Sequence, residues 1–120
     1  MEMISNEEKI TQAVLVSVDT GDYDAEASLA ELKELVKSAG AEPVFTVTQN
    51  LKRPETGTYV GTGKLQEIAD ICKQQEIDLL VFDCELSPTQ IRNIEAETDT
   101  RTIDRTMLIL DIFALRARSK

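Results

Sequence analysis

Along this chain, short continuous apolar runs alternate with segments in which apolar residues recur every three or four positions. The first run, Ala13-Val14-Leu15-Val16-Ser17-Val18, is rich in β-branched residues and suits a strand buried on both faces. Asp19-Thr20-Gly21-Asp22-Tyr23-Asp24 ends it with turn chemistry. Leu29, Leu32, Leu35, Val36 and Ala39 then keep helical spacing, with Glu31, Lys33, Glu34 and Lys37 on the other side. Asp24 is placed to cap that helix and Gly40 to follow its last turn.

Val44-Phe45-Thr46-Val47-Thr48 predicts a second strand. Residues 49–61 form a polar connection of about a dozen residues, a length associated with functional or mobile loops. Gly61-Thr62-Gly63-Lys64 opens the next helix, with Leu65, Ile68, Ile71 and Cys72 as its inner stripe. Asp78-Leu79-Leu80-Val81-Phe82-Asp83 predicts a third strand. Ser87 as N-cap, Pro88 at the first helical position and Gln90 completing a capping box mark a helix start, with Leu86 and Ile91 forming a staple across it. That helix is expected to run to about Glu97. Thr100-Arg101-Thr102-Ile103-Asp104 predicts a short fourth strand. Residues 107–115 predict a helix, because the run is long and lacks Gly and Pro. No Gly or Pro stop follows, so this helix is expected to be interrupted by the end of the chain.

The order βαβαβαβα implies an α/β fold: a small open parallel four-stranded sheet with helices on both faces, joined by right-handed crossovers. The expected organisation is a frayed tail at residues 1–12, the α/β unit at 13–105, and the start of a longer helix at 106–120.

Composition narrows the function. Apolar residues make up 42% and charged residues 29% of 120 residues, enough for one domain with one core. No run approaches the roughly 18 apolar residues of a membrane helix. The acidic N-terminus, with Glu2, Glu7 and Glu8, is not a secretory signal, so a cytoplasmic location without a membrane partner is expected. There are two cysteines and no histidine, which opposes a zinc site and any Ser-His-Asp or Cys-His nucleophile. Both Cys72 and Cys84 are expected to be reduced and partly buried, and Asp83 and Glu85 oppose a thiolate at Cys84. The net charge of −9 opposes non-specific binding to nucleic acid.

In open α/β sheets ligands bind beyond the carboxyl ends of the strands, and three groups of residues there have the right chemistry. Gly61, Thr62, Gly63 and Lys64 at a helix start could bind phosphate or an RNA backbone, as against serving only as a tight-turn helix cap. They are not a P-loop: Thr58 stands where its first glycine belongs and Leu65 where its metal-binding hydroxyl belongs. Lys52 and Arg53, with Lys64, supply positive charge beside the long loop, as against being merely solvated. Asp19, Asp22 and Asp83 could hold Mg²⁺ if the first and third strands are neighbours, as against ordinary turn and cap roles. Asp83 also resembles the phosphoacceptor of receiver domains, but the adjacent acidic pair and the closing lysine of that family are missing.

Several segments, in order, resemble the HflX family of ribosome-associated GTPases. Ala13 to Asp22 and Ala25 to Gly40 are similar to the family's start, and Tyr59-Val60-Gly61-Thr62-Gly63-Lys64-Leu65 to its Gly-x-Gly-Lys segment. More distinctive are residues 83–95, similar to Asp-x-Glu-Leu-Ser-Pro-x-Gln-x-Arg-Asn-Ile-Glu, and residues 104–114, similar to Asp-Arg-Thr-x-Leu-Ile-Leu-Asp-Ile-Phe. The resemblance implies the N-terminal domain of a parent in which a helical hairpin and a Ras-like G domain follow. Residues 106–120 would then be the truncated start of that hairpin. The parent is expected to bind the large ribosomal subunit and to use GTP and Mg²⁺, with ATP binding also attributed to the N-terminal region. No cofactor and no catalytic residue are expected in this fragment, which would dock and position the rest. Its partners would be the large ribosomal subunit and the G domain and hairpin of the same chain. Self-association through residues 107–115 is a further expectation, because Leu108, Ile112, Phe113 and Leu115 lack the hairpin's cover. The alternatives are an independent ATP-binding α/β domain, or a receiver-like signalling domain.

Overall fold

A computed structural model describes residues 10–118, with side chains described to residue 114. Its elements are β1 (Thr11–Asp19), α1 (Ala25–Ser38), β2 (Ala41–Asn50), α2 (Thr62–Gln74), β3 (Leu79–Phe82), α3 (Pro88–Thr98), β4 (Arg101–Asp104) and α4 (Arg105–Arg118). The expected βαβαβαβα order is present, and the sheet is parallel throughout with strand order β2-β1-β3-β4.

Strand β1 lies inside the sheet, so both of its faces are covered and its apolar run needs no polar alternation. Val14, Val16 and Val18 face one layer with Leu80 and Phe82, under Leu65, Ile68 and Cys72 of α2 and Ile94 of α3. Ala13 and Leu15 face the other with Val81 and Ile103, under Leu32 and Val36 of α1 and Leu108 and Ile112 of α4. The first turns of α4 therefore belong to the core of the α/β unit, while Leu110 and Phe113 on its outer side stay exposed at 60% and 62%. The side chain of Leu115 lies outside the described residues.

Strand β2 is an edge and is longer than its apolar run. Its register against β1 shifts between Ala13 and Val14, so that Val44 is the extra residue of a bulge beside Pro43. A proline is tolerated there because an edge strand has one side without a ladder.

The helix starts follow local chemistry. Asp24 accepts the Ala27 N–H (3.0 Å), and Gly40, at φ 91°, supplies the left-handed residue after α1. Ser87 and Gln90 form the capping box in both directions. Helix α4 begins at Arg105, ahead of the expected Met107, because Asp104 Oδ1 accepts the Met107 N–H (2.9 Å) and so caps it. No helix among the described residues is long and apolar enough to cross a membrane.

Candidate functional site

The order β2-β1-β3-β4 means that the chain turns outward on one side after β1 and on the other after β3. The carboxyl ends of β1 and β3 therefore flank the switch point, where ligand crevices form in this architecture. Asp19 ends β1 and Asp83 follows β3, so the neighbouring strands do bring these two ends together.

What meets Asp83 is a cation. Arg105 Nη1 donates to Asp83 Oδ1 at 2.6 Å, and Nη2 pairs with Glu31 Oε1 on α1. The same Nη1 also reaches Ser28 O and Oγ, both at 3.4 Å. The Asp83 side chain is wholly buried, so this pair compensates a charge that water does not reach. One step back, Asp104 Oδ2 accepts the Leu86 N–H at 2.8 Å, and the Arg105 N–H donates to Cys84 O at 3.2 Å. The two most distinctive sequence segments are thus bonded to each other: 104–105 hold 83–86.

The long connection is tied down as well. Leu51 N–H donates to Asp19 O (3.2 Å), and Glu55 and Tyr59 exchange backbone hydrogen bonds of 3.0 Å. Gln90 Nε2 donates to Thr56 O (3.1 Å) and Asn93 Nδ2 to Gly57 O (2.9 Å), so the first two turns of α3 clasp the loop tip. Tyr59, at φ 67°, packs edge-on against Phe82 with centroids 6.3 Å apart.

The other residues singled out in the sequence are dispersed around this framework. Gly61 is the N-cap of α2 and has no side-chain cap; its own N–H donates to Gln49 Oε1 at 2.9 Å. Thr62 and Gly63 begin the helix, and Lys64 pairs with Glu67 at 3.2 Å. Lys52 and Arg53 are exposed just past the end of β2. Asp19 Oδ1 closes its own turn on the Gly21 N–H (3.0 Å), and Asp22 is exposed. Among the described residues, no group of three His, Cys, Asp or Glu side chains is gathered as metal ligands would be. Residue spacing does not single out Arg105, Asp104, Gln90 and Asn93 as a working set, since they meet only in the fold.

Cys72 and Cys84 are free. Burial pushes the Cys84 thiol up to about 12; Tyr59 opposes this in part, and the charges of Asp104, Asp83 and Glu85 add to it. A raised thiol is protonated in the fold when the unfolded chain has already ionised. The associated stability is present below the ordinary thiol value of 9.0 and is lost as pH rises past it. Urea unfolding should therefore show constant stability from about pH 7 to 8.5 and a decline above about pH 9. In Cys84→Ala that decline should be shallower by about 1.4 kcal/mol per pH unit. An unchanged slope would show that Cys84 titrates normally.

A doubly wound α/β domain whose strand ends are locked together by its own signature residues is the class defined by this fold and site. The family described as GTP-binding GTPase N-terminal matches residues 26–114, and the chain belongs to it, as an N-terminal domain of the HflX type. It is 51% identical over 117 residues, 97% of its length, to the GTPase HflX of Lacrimispora saccharolytica. It is 48% identical over 109 residues, 90% of its length, to the GTPase HflX of Escherichia coli. The chain spans 28% and 25% of the lengths of these two relatives. Among solved structures it resembles the complex of SsGBP and GDP, with TM-score 0.68 and 28% identity over 92% of this chain and 31% of that one. A GTP-binding protein from the hyperthermophilic archaeon Sulfolobus solfataricus in complex with GDP is also similar, with TM-score 0.63 and 27% identity over 88% and 31% of the two chains.

Proposed function

We propose that this domain positions the remainder of an HflX-type GTPase on the large ribosomal subunit. The parent would bind GTP with Mg²⁺ and hydrolyse it elsewhere in its chain. The observation that carries this reading is the use made of the signature residues. Asp104 and Arg105 bind Leu86, Asp83, Glu31 and Met107, and Gln90 and Asn93 bind the loop tip. Their hydrogen-bonding capacity goes into fixing the strand ends and the direction of α4, whose exposed Leu110 and Phe113 are left for another part of the parent or a second copy. A rigid base for a helix that leads into the next domain is what a positioning module requires.

Contact with ribosomal RNA would run through Lys52 and Arg53, with Thr62, Gly63 and Lys64 at the start of α2 offering backbone amides to a phosphate, while the Gly61 N–H stays on Gln49. With a net charge of −9, the domain alone should bind ribosomes weakly. In the full-length parent, Lys52→Glu with Arg53→Glu should weaken co-sedimentation with large subunits by about tenfold, and should lower the salt slope by about 1 for each phosphate that is no longer neutralised. Affinity and slope that do not move would remove this face from the interface. A parent lacking residues 1–105 that still binds the subunit and is stimulated by it normally would end the positioning reading itself.

A further inference from the structure

Strand β2 pairs with β1 on one side, and among the described residues no strand pairs with its other edge. It runs for 10 residues, against 4 for β4 at the opposite edge of the sheet. Sheet edges are normally protected by shortness, charge or proline, because a row of free N–H and C=O groups is a template for a further strand. Pro43 and the bulge at Val44 protect the first part of β2. From Val44 to Asn50 there is neither charge nor proline.

The Leu51 N–H donates to Asp19 O at 3.2 Å, which fixes the direction of the peptide groups before it. These alternate along a strand, so Phe45, Val47 and Gln49 turn theirs to β1, while Thr46, Thr48 and Asn50 turn theirs to the open edge. Thr46, Thr48 and Asn50 are exposed, and so are Val44 and Phe45, at 37% and 42%. Charge is confined to the two ends of this stretch. Glu42 precedes it and Lys52 and Arg53 follow it, all three exposed.

That distribution is self-complementary when the strand is reversed. We infer that β2 pairs antiparallel with β2 of a second copy, on a two-fold axis at Val47, making one continuous sheet of the two. On this axis Thr46 of each copy exchanges both backbone hydrogen bonds with Thr48 of the other. Phe45 lies diagonal to Val47 of the second copy on one face, and the threonines pair on the other. The same register sets Glu42 of each copy against Lys52 of the other, with Arg53 next to it, so the charges are matched at both ends. A parallel pairing would instead oppose Glu42 to Glu42 and Lys52 to Lys52. These cations are the ones proposed above to meet RNA, so the paired and ribosome-bound states would exclude each other; the pairing itself does not rest on that reading.

The test is sedimentation equilibrium of the chain at about 10 µM to 1 mM, with amide hydrogen exchange over the same range. Salt of about 150 mM screens the repulsion between two chains of net charge −9. A dimer with Kd on the order of 100 µM is expected, and the Thr46 and Thr48 amides should gain protection as concentration rises. Glu42→Lys should weaken it about tenfold, and adding Lys52→Glu with Arg53→Glu should restore it to within about threefold. Thr48→Pro removes an N–H that the ladder with β1 does not use, and should abolish pairing. Phe113→Asp, on α4, should leave the dimer unchanged. A chain still monomeric at about 1 mM would overturn the proposal. So would a dimer that Glu42→Lys leaves intact, that the charge exchange does not restore, or in which the Thr46 and Thr48 amides stay unprotected. Loss of the dimer in Phe113→Asp would overturn it too, by moving the interface to α4.

Discussion

Arg105→Ala is expected to lower the stability of the domain by about 3 kcal/mol, a large part of the 5–15 kcal/mol or so typical of a domain. The substitution leaves the Asp83 carboxylate, whose side chain is 0% exposed, without its cation. It also removes the link from the end of β3 to Ser28 and Glu31 on α1. Because the Arg105 side chain is 23% exposed, the low end of the range for a broken buried pair applies. Glu31→Ala should cost no more than about 0.5 kcal/mol, since that carboxylate is 68% exposed and screened by water. Urea denaturation of the single variants and of Arg105→Met with Asp83→Leu separates the effects: the double variant should recover most of the loss, because no charge is then left buried. A loss below about 1 kcal/mol for Arg105→Ala would place the pair among ordinary surface ion pairs. It would also remove the lock on α4 that the positioning role relies on.

Asp104→Ala should have a comparable effect by a different route. Its two oxygens accept the Leu86 N–H at 2.8 Å and the Met107 N–H at 2.9 Å, and the residue is 5% exposed. Removing both acceptors leaves one buried and one half-buried amide unpaired, each at about 1–3 kcal/mol, for an expected total of about 3 kcal/mol. Asp104→Asn keeps one acceptor oxygen, so about half of that loss is expected. Thermal unfolding with hydrogen exchange at Leu86 and Met107 checks the assignment: both amides should exchange faster in Asp104→Ala. If only Met107 does, the capping of α4 is real and the link to the 83–86 segment is not. The two substitutions together test whether the signature segments act as one scaffold, in which case their losses should be less than additive.

The features legible in the sequence and those that were not divide by distance along the chain. The capping box of Ser87 and Gln90 spans three residues, and it forms where expected because both partners lie on one turn. The burial of β1 on both faces is legible from its unbroken apolar run. Length and polarity alone mark residues 49–61 as a functional or mobile loop. The structure ties them through Gln90 to Thr56, 34 residues away, and through Gly61 to Gln49, 12 away. Similarly, Asp83 offers a carboxylate to a metal on paper, but a guanidinium 22 residues later takes it. No local pattern announces such a pairing, since either carboxylate or cation would look ordinary alone.

By itself, then, the sequence determined the order of strands and helices, the parallel α/β class and the starts of α1, α2 and α3, though not that of α4. These follow from the period of apolar positions and from caps that act within one turn. Only the tertiary structure decided the strand order β2-β1-β3-β4, and with it which side chains share the carboxyl edge. That order brought Arg105 to Asp83 and Asp104 to Leu86. The physical reason is that long-range contacts depend on which faces are buried against each other, and apolar burial selects a packing without regard to the polar groups that it happens to juxtapose.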